Sequence, residues 1–346
     1  MLKKVLLILG ALVLAGGIYF LTIMHATGSF RTLSAVEYGP VVQEIPLDGA
    51  EDLTIAYEDD LMFISAFDRA GAVRGNSPTG ALYVMNLRTE PFVPIPLDDG
   101  LGDGFHPHGI SVLKLDSVSW KIWAVNHQNG LHTIESFKFQ LPDQLVHLHT
   151  HEDAMIVSPN DVIALNEHQF YFTNDHKYTS GLPLLAENYL GLALSNVVFF
   201  DGDLFREVAG GIQYANGITI DPNEPKILVA APRGFEILVY NIEATNDLTL
   251  TERIALETGP DNLEWDQNGN LWTGAHPNLL RFASYAKLKK NTAPSEVIVL
   301  RGSEFESIYL NDGSQVSASS VAAPYNQYLF IGTVMDDKLL VLEKRR

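Results

Sequence analysis

One phrase recurs six times along the chain, and its spacing constrains the fold more than any other feature of the sequence. Each copy is a polar pair, a short apolar strand, a turn, and a second strand rich in aromatic or β-branched residues. Glu51-Asp52-Leu53 leads to Leu61–Ile64, His108-Gly109-Ile110 to Ile122–Val125, and Asn160-Asp161-Val162 to Phe170–Phe172. Asn216-Gly217-Ile218 leads to Ile227–Val229, Asp261-Asn262-Leu263 to Leu271-Trp272, and Ser319-Ser320-Val321 to Tyr328–Ile331. The first residues lie at 51, 108, 160, 216, 261 and 319, so the intervals run from 45 to 58 residues. One unit of a few strands cannot bury both of its faces, whereas such units stacked around an axis bury each other. The sequence therefore predicts an all-β fold, a six-bladed β-propeller around a central channel. The stretch Val36 to Leu47 is one strand too many before the first copy, and is expected to close the ring beside the carboxy-terminal strands at 328–334 and 338–343. A pair of β-sandwiches would leave the period unexplained.

The amino terminus breaks the pattern. Lys3 and Lys4 precede an uncharged apolar run from Val5 to Met24, twenty residues, the length of a helix that crosses a hydrocarbon core. Such a run is a signal anchor or a cleaved signal peptide. Its length, and the absence of a following A-x-A site, favour an anchor over residues 1–26 and a propeller hydrolase domain over 27–346. The two lysines would then stay in the cytoplasm, and the propeller would lie outside it, periplasmic or extracellular.

Composition removes several chemistries. Asp plus Glu number 42 against 23 Lys plus Arg, a formal charge of −19, and such a surface repels phosphate backbones, so nucleic acid is not an expected partner. With no cysteine there is no thiol nucleophile, Cys-ligated zinc, iron–sulfur cluster or disulfide. No G-x-S-x-G elbow offers a serine nucleophile. His147, His149 and His151 alternate, so one strand face would carry all three; with Asp153 they hint at zinc, but a solvated face is the reading preferred. Asp98, Asp99, Gly100, Gly102 and Gly104 form an acidic loop too irregular for an EF-hand. Lys344-Arg345-Arg346 reads as a frayed end.

In a propeller the inner strands run along the channel, so equivalent positions of different blades meet. Glu51, Asp52, His108, Asn160, Asp161, Asn216, Asp261 and Asn262 should converge. Three Asn with the carboxylates of Glu51 and Asp261 make a hard oxygen set of mixed charge, which suits Ca²⁺ better than Mg²⁺ or zinc. Asp52 and Asp161, turned to the other side of their strands or one layer deeper, are candidates to hold a second calcium with the Ile110 carbonyl.

At these residues the sequence resembles the paraoxonase and arylesterase family of six-bladed calcium propellers. The matching words are Gly49–Leu53, Phe105–Ser111 (FHPHGIS), Val125-Asn126-His127, Asn160-Asp161, Thr173–His176 (TNDH), Tyr189–Leu192, Ala215–Ile218, Asp261-Asn262 and His276-Pro277-Asn278, in order across residues 37 to 343. The resemblance implies lactonase and aryl-esterase activity, with two calcium ions. A catalytic one is held by Glu51, Asn160, Asn216, Asp261 and Asn262; a structural one is held by Asp52, Asp161 and the Ile110 backbone. It also implies a catalytic His108–His127 dyad and places His176 and His276 on blade-top loops that shape the substrate pocket. The chain departs from vertebrate members in having no terminal disulfide, Ala275 in place of their free cysteine, His106 where they tend to carry Asn, and no N-x-S/T acceptor, which fits a bacterial origin. The loop from Ser65 to Gly80, which would cover the pocket, matches poorly at Asp68-Arg69-Ala70.

A lactone needs a polarised carbonyl, an activated water and a stabilised oxyanion. Calcium supplies the first and last of these; His108 either removes the water's proton or positions substrate, and His127 either relays that proton or is a buried structural imidazole. The expected function is calcium-dependent hydrolysis of lactones, acyl-homoserine or other hydrophobic ones, and of aryl esters. A gluconolactonase- or phosphotriesterase-like propeller, or a non-catalytic binding propeller akin to strictosidine synthase, stand as alternatives. The expected partners are a small lactone or ester and, through the helix, a membrane; the oligomeric state is not legible.

Overall fold

Alternation of apolar residues along each middle strand builds the molecule, because successive side chains on a strand point to opposite faces. In Ser119–Gln128, Ile122 and Ala124 pack with Phe63, Val84, Phe137 and Phe139, while Trp123 and Val125 join Phe170, Phe172 and Val198. Each blade thus feeds two cores, one shared with each neighbour. Phe63 meets Phe139 edge-on, with ring centroids 5.2 Å apart. Burying an aromatic side chain of this kind contributes about 1.5–3 kcal/mol, so the blade interfaces carry much of the stability.

The computed structural model describes residues 2–98, 100–128, 130–302 and 304–345; Asp99 and Arg346, named above, lie outside them. It contains six antiparallel sheets of four strands each, arranged as a six-bladed propeller. The inner strands are Ala50–Ala56, Pro107–Lys114, Pro159–Ala164, Ile218–Ile220, Gly259–Trp265 and Ser319–Tyr325, numbered here as blades 1 to 6. Five of the repeated polar phrases lie on these strands, and Asn216 lies just before the fourth.

The extra strand closes the ring as its position predicts. Val41–Pro46 pairs with Lys338–Glu343, Ile45 opposite Leu339 and Glu44 opposite Leu340, and completes blade 6. Upstream of it, Val36 and Leu310 exchange backbone hydrogen bonds of 3.0 and 2.9 Å, which fixes the entering chain against blade 5.

Three short helices, Arg69–Val73, Gly181–Leu190 and Leu279–Ala286, join the second and third strands of blades 1, 3 and 5. They gather at one end of the channel. The amino-terminal helix Leu2–Ala26 is exposed along most of its length and touches the propeller where the Tyr19 hydroxyl donates to the Tyr189 carbonyl at 2.5 Å; it is long and apolar enough to cross a membrane, a property that signal sequences share. It leaves from the same end, where Leu279 donates its amide to the Thr27 carbonyl at 3.0 Å.

The alternating histidines do not share a face. Gln144–His151 is a strand, but the register slips by one residue, His147 opposite Phe137 and His149 opposite Ser136. This bulge sends His147 Nε2 to Glu135 at 2.9 Å, while His149 and His151 stack edge-on with each other, centroids 4.5 Å apart. His151 also packs on Phe170 and Phe200, so it is partly buried rather than fully solvated.

Candidate active site at the channel mouth

The geometry of the site begins with an irregularity. In a regular strand, two adjacent residues face opposite ways, yet the polar phrases place functional side chains next to one another. Five inner strands resolve this with one extra residue at the phrase. Ala50 pairs with Ala66 and Asp52 already with Ser65; Pro107 pairs with Asn126 and Ile110 with Ala124. The same slip separates Pro159 from Val162, Pro260 from Leu263 and Ser319 from Val321. A bulge bends the strand and re-aims its side chains. Glycine then lets the next blade approach: a Cβ on Gly217 would stand 2.4 Å from the Asp261 carbonyl oxygen, and one on Gly109 would stand 2.3 Å from Asp161 Oδ1.

The bulges bring blades 1, 5 and 6 into direct contact. Asn262 Nδ2 donates to the Glu51 carbonyl and to Glu51 Oε1, both at 3.1 Å, and Ser320 Oγ donates to the same carbonyl at 2.5 Å. His108 Nε2 lies 3.3 Å from Glu51 Oε1. Glu51 is buried, which raises its carboxyl pKa, but His108, Arg69 and Asn262 together hold it below the usual value. Burial pushes the Asp261 carboxyl up, although the hydrogen bond from His276 opposes this.

Four buried oxygens here have no hydrogen-bond partner: Glu51 Oε2, Asn160 Oδ1, Asn216 Oδ1 and Asn262 Oδ1. Leaving one buried acceptor unsatisfied costs about 1–3 kcal/mol. Four orphans on four different blades, all oxygen and all from the repeated phrase, have the donor chemistry of a hard cation such as calcium. Three are amides. Among the described residues no group of three or more His, Cys, Asp or Glu is gathered for a metal, and the unpartnered oxygens at this end of the channel are mainly amide oxygens.

Asp52, Ile110 and Asp161 line a separate cavity of about 180 Å³ with Ile218 and Glu264. Asp52 accepts from the Ile110 amide at 2.7 Å and from Leu53 at 2.9 Å. Asp161 accepts from Val162 at 2.7 Å and Ile218 at 2.8 Å. Burial, reinforced by neighbouring carboxylates, pushes both carboxyls well above the usual range. Ile110 thus meets Asp52 through its N–H. Glu264, which the sequence reading did not single out, brings a further carboxylate and accepts from Thr54 Oγ1 at 3.2 Å.

The two expected imidazoles are in contact, His108 Nδ1 lying 2.9 Å from His127 Nε2. A third follows, with His127 Nδ1 at 2.8 Å from His132 Nδ1. His132 was missed, although the pairing of Gln128 with Leu131 and of His127 with His132 sets it directly across the strand pair. His106 stacks on Phe67 at 4.4 Å and bonds the His127 carbonyl through Nδ1 at 2.8 Å, so it braces the dyad from the side. Arg69, at the head of its short helix, donates to the carbonyls of Pro107 at 2.9 Å and Gly49 at 3.3 Å.

The pocket histidines divide. His276 ends the strand Leu271–His276 rather than sitting on a loop, is 2% exposed, and donates from Nε2 to Asp261 Oδ2 at 2.8 Å. Its ring stacks on Phe282 at 3.9 Å. It therefore supports Asp261 from beneath. His176 does lie on a loop, held between Asp175 at 2.7 Å and Asn188 at 2.9 Å. Burial lowers its pKa, but the bond to Asp175 dominates with other acidic neighbours and raises it to about 9.

A family model described as Arylesterase matches residues 34–342. The chain belongs to the arylesterase family. It is 34% identical over 298 residues to serum paraoxonase/arylesterase 2 of Gallus gallus, covering 83% of each chain. It is 33% identical over 306 residues to serum paraoxonase/arylesterase 1 of Homo sapiens, covering 84% of this chain and 85% of that one. As a member of the arylesterase family, the protein is an enzyme. Among solved structures, the calcium-binding protein regucalcin of Agrobacterium tumefaciens superposes with a TM-score of 0.52 at 12% identity, over 91% of this chain and 98% of its own. At that identity the likeness extends to the propeller fold alone. The arylesterase match spans all six blades and every polar phrase assembled at the channel.

Proposed function

We propose that the protein hydrolyses lactones and aryl esters at a calcium ion held by Glu51, Asn160, Asn216, Asp261 and Asn262. The observation that carries this reading is the set of four orphaned buried oxygens on four of the repeated phrases, three of them at bulges. Bound there, calcium would supply a Lewis acid for the substrate carbonyl and for the oxyanion that develops from it. The protein's own residues do the rest. His108 Nε2, beside Glu51, is placed to take a proton from the attacking water. His127 sits behind His108, and burial, reinforced by neighbouring His108, His132 and Arg69, keeps its imidazole neutral, so it orients His108 rather than holding charge itself. His276 fixes one oxygen of Asp261. His176, on its loop, borders the substrate.

Asp52, Asp161 and Ile110 are read as the cradle of a second, structural calcium that ties blades 1, 2 and 3. Their shared cavity and raised carboxyl pKa values support that reading, since a cation there would offset the repulsion. The exposed side chains of Leu182, Leu185 and Tyr189, on the helix whose Asn188 contacts His176, suit a hydrophobic acyl chain, such as that of an acyl-homoserine lactone. Residues 1–26 are read as a membrane anchor that leaves the propeller, 27–346, on the outer side.

The test is turnover of an aliphatic δ-lactone, an acyl-homoserine lactone and phenyl acetate, before and after EGTA and again after calcium is restored. Loss and recovery are expected. Turnover unchanged by EGTA would overturn the calcium reading, and turnover of sugar lactones alone would move the activity to the gluconolactonase alternative.

A further inference from the structure

Ester hydrolysis near neutral pH consumes one water and yields a carboxylate, an alcohol and one proton. The proton taken from water protonates the leaving alkoxide; the proton of the new carboxylic acid must reach bulk solvent. While substrate or product fills the mouth, His108, whose side chain is 17% exposed, is not free to pass it outward.

The three imidazoles offer a way round. Neutral imidazole carries one N–H and one bare nitrogen, so the contacts His108 Nδ1–His127 Nε2 and His127 Nδ1–His132 Nδ1, at 2.9 and 2.8 Å, fix all the tautomers once one is chosen. With His108 Nε2 bare, as it must be to take a proton beside Glu51 Oε1 at 3.3 Å, His108 Nδ1–H donates to His127 Nε2, His127 Nδ1–H donates to His132 Nδ1, and His132 carries its single proton on Nε2. His132 is half-exposed at the outer end.

Resting on the ester-hydrolase reading, we propose that His132 is the outlet of a three-imidazole proton relay that serves His108. A proton arriving at His108 Nε2 displaces Nδ1–H to His127 Nε2. That displaces His127 Nδ1–H to His132 Nδ1, and the Nε2 proton of His132 leaves to solvent. One proton enters, one leaves, and no electron changes owner. The rings return to their first tautomers by exchange with water once the mouth is open. Charged surroundings favour the outward direction. Burial, with His108, His132, the Arg69 cation and His106, holds the His127 pKa well below its ordinary value and denies it a lasting charge; burial lowers the His132 pKa as well, and there the Asp175 carboxylate opposes it. His132 is a positioning and relay residue and does not touch substrate.

The experiment uses the full chain with calcium, as wild type, His132→Ala, His132→Gln and His108→Gln, with phenyl acetate and a neutral δ-lactone as substrates. For both His132 variants, kcat should fall about tenfold, a fraction of the 10²–10⁴ that general acid–base catalysis commonly contributes, while KM stays within twofold. Added imidazole should restore kcat in a saturable, concentration-dependent way, and the wild type should not respond. Wild-type kcat in both His132 variants at every buffer concentration overturns the relay while leaving the hydrolase reading intact. So does a fall in kcat that imidazole does not reverse. Undiminished kcat in His108→Gln overturns the hydrolase mechanism and the relay with it.

Discussion

A ligand oxygen is only as good as the group that aims it, and at the residue scale Asp261 and His276 make the case. Asp261 Oδ2 is held by an imidazole that is itself buried and stacked on Phe282. Removing such a partner commonly weakens a metal site by about 10–100-fold. His276→Phe, which keeps the stack and removes the donor, should therefore weaken calcium binding by about that factor, measured by calorimetric titration. His176 gives a pH signature instead. Its pKa is raised to about 9 in the folded protein, so the stability it contributes is complete below its ordinary pKa, near 6.5, and is lost as pH rises through 9. His176→Gln should flatten that part of the stability profile, measured by urea unfolding from pH 6 to 10. The polar residues of the repeated phrase were legible one by one because their periodicity named them. His132, Arg69 and Glu264 were not, because none belongs to the repeated positions and each matters only through what the folded blades set beside it.

At the scale of elements, strands and their order could be read from apolar alternation and turn residues. The bulges could not, since one extra residue in a strand leaves no mark in composition. That blindness explains the misjudged face of His147, His149 and His151, where period-2 counting fails at the slip between His147 and His149. It also hid why Asp261 and Asn262, adjacent in sequence, can both serve one site. The close approach at the blade 2 bulge is testable. Gly109→Ala would drive a methyl into Asp161, whose Cα lies 2.5 Å from the Cβ position. Overpacking of this kind costs about 1–3 kcal/mol. The expected result is a melting temperature lower by several degrees, at about 2–4 °C per kcal/mol, checked by calorimetry with calcium present.

Across the whole molecule, ring closure and, on the proposed function, a bound calcium set stability together. A ligand that binds only the folded state stabilises it by about 2.7 kcal/mol at a hundred times its dissociation constant. Stripping calcium with EGTA should therefore lower the melting temperature as well as remove activity, and titrating it back should restore both. Closure depends on strand pairing and on the packing of Ile45 with Leu339 and Val341, since the chain has no cysteine to staple its ends. Deleting residues 27–46 removes the outer strand of blade 6 and exposes the edge of Lys338–Glu343. Such an edge invites pairing between chains, so the deleted protein should aggregate on size-exclusion chromatography, whereas deleting residues 2–26 should leave the propeller folded. The number of blades and the place of closure were legible from the count of copies and the surplus strand.

The pairing of Val41–Pro46 with Lys338–Glu343 also imposes an order on biogenesis. The strand that locks the circle leaves the ribosome before any inner strand of a blade, and its mate only after all six. For the whole of translation the early segment waits with its ladder unfilled, and no incomplete chain can adopt the finished shape. A ribosome that stalls before residue 338 releases a product with an open seam, which the cell's proteases can recognise.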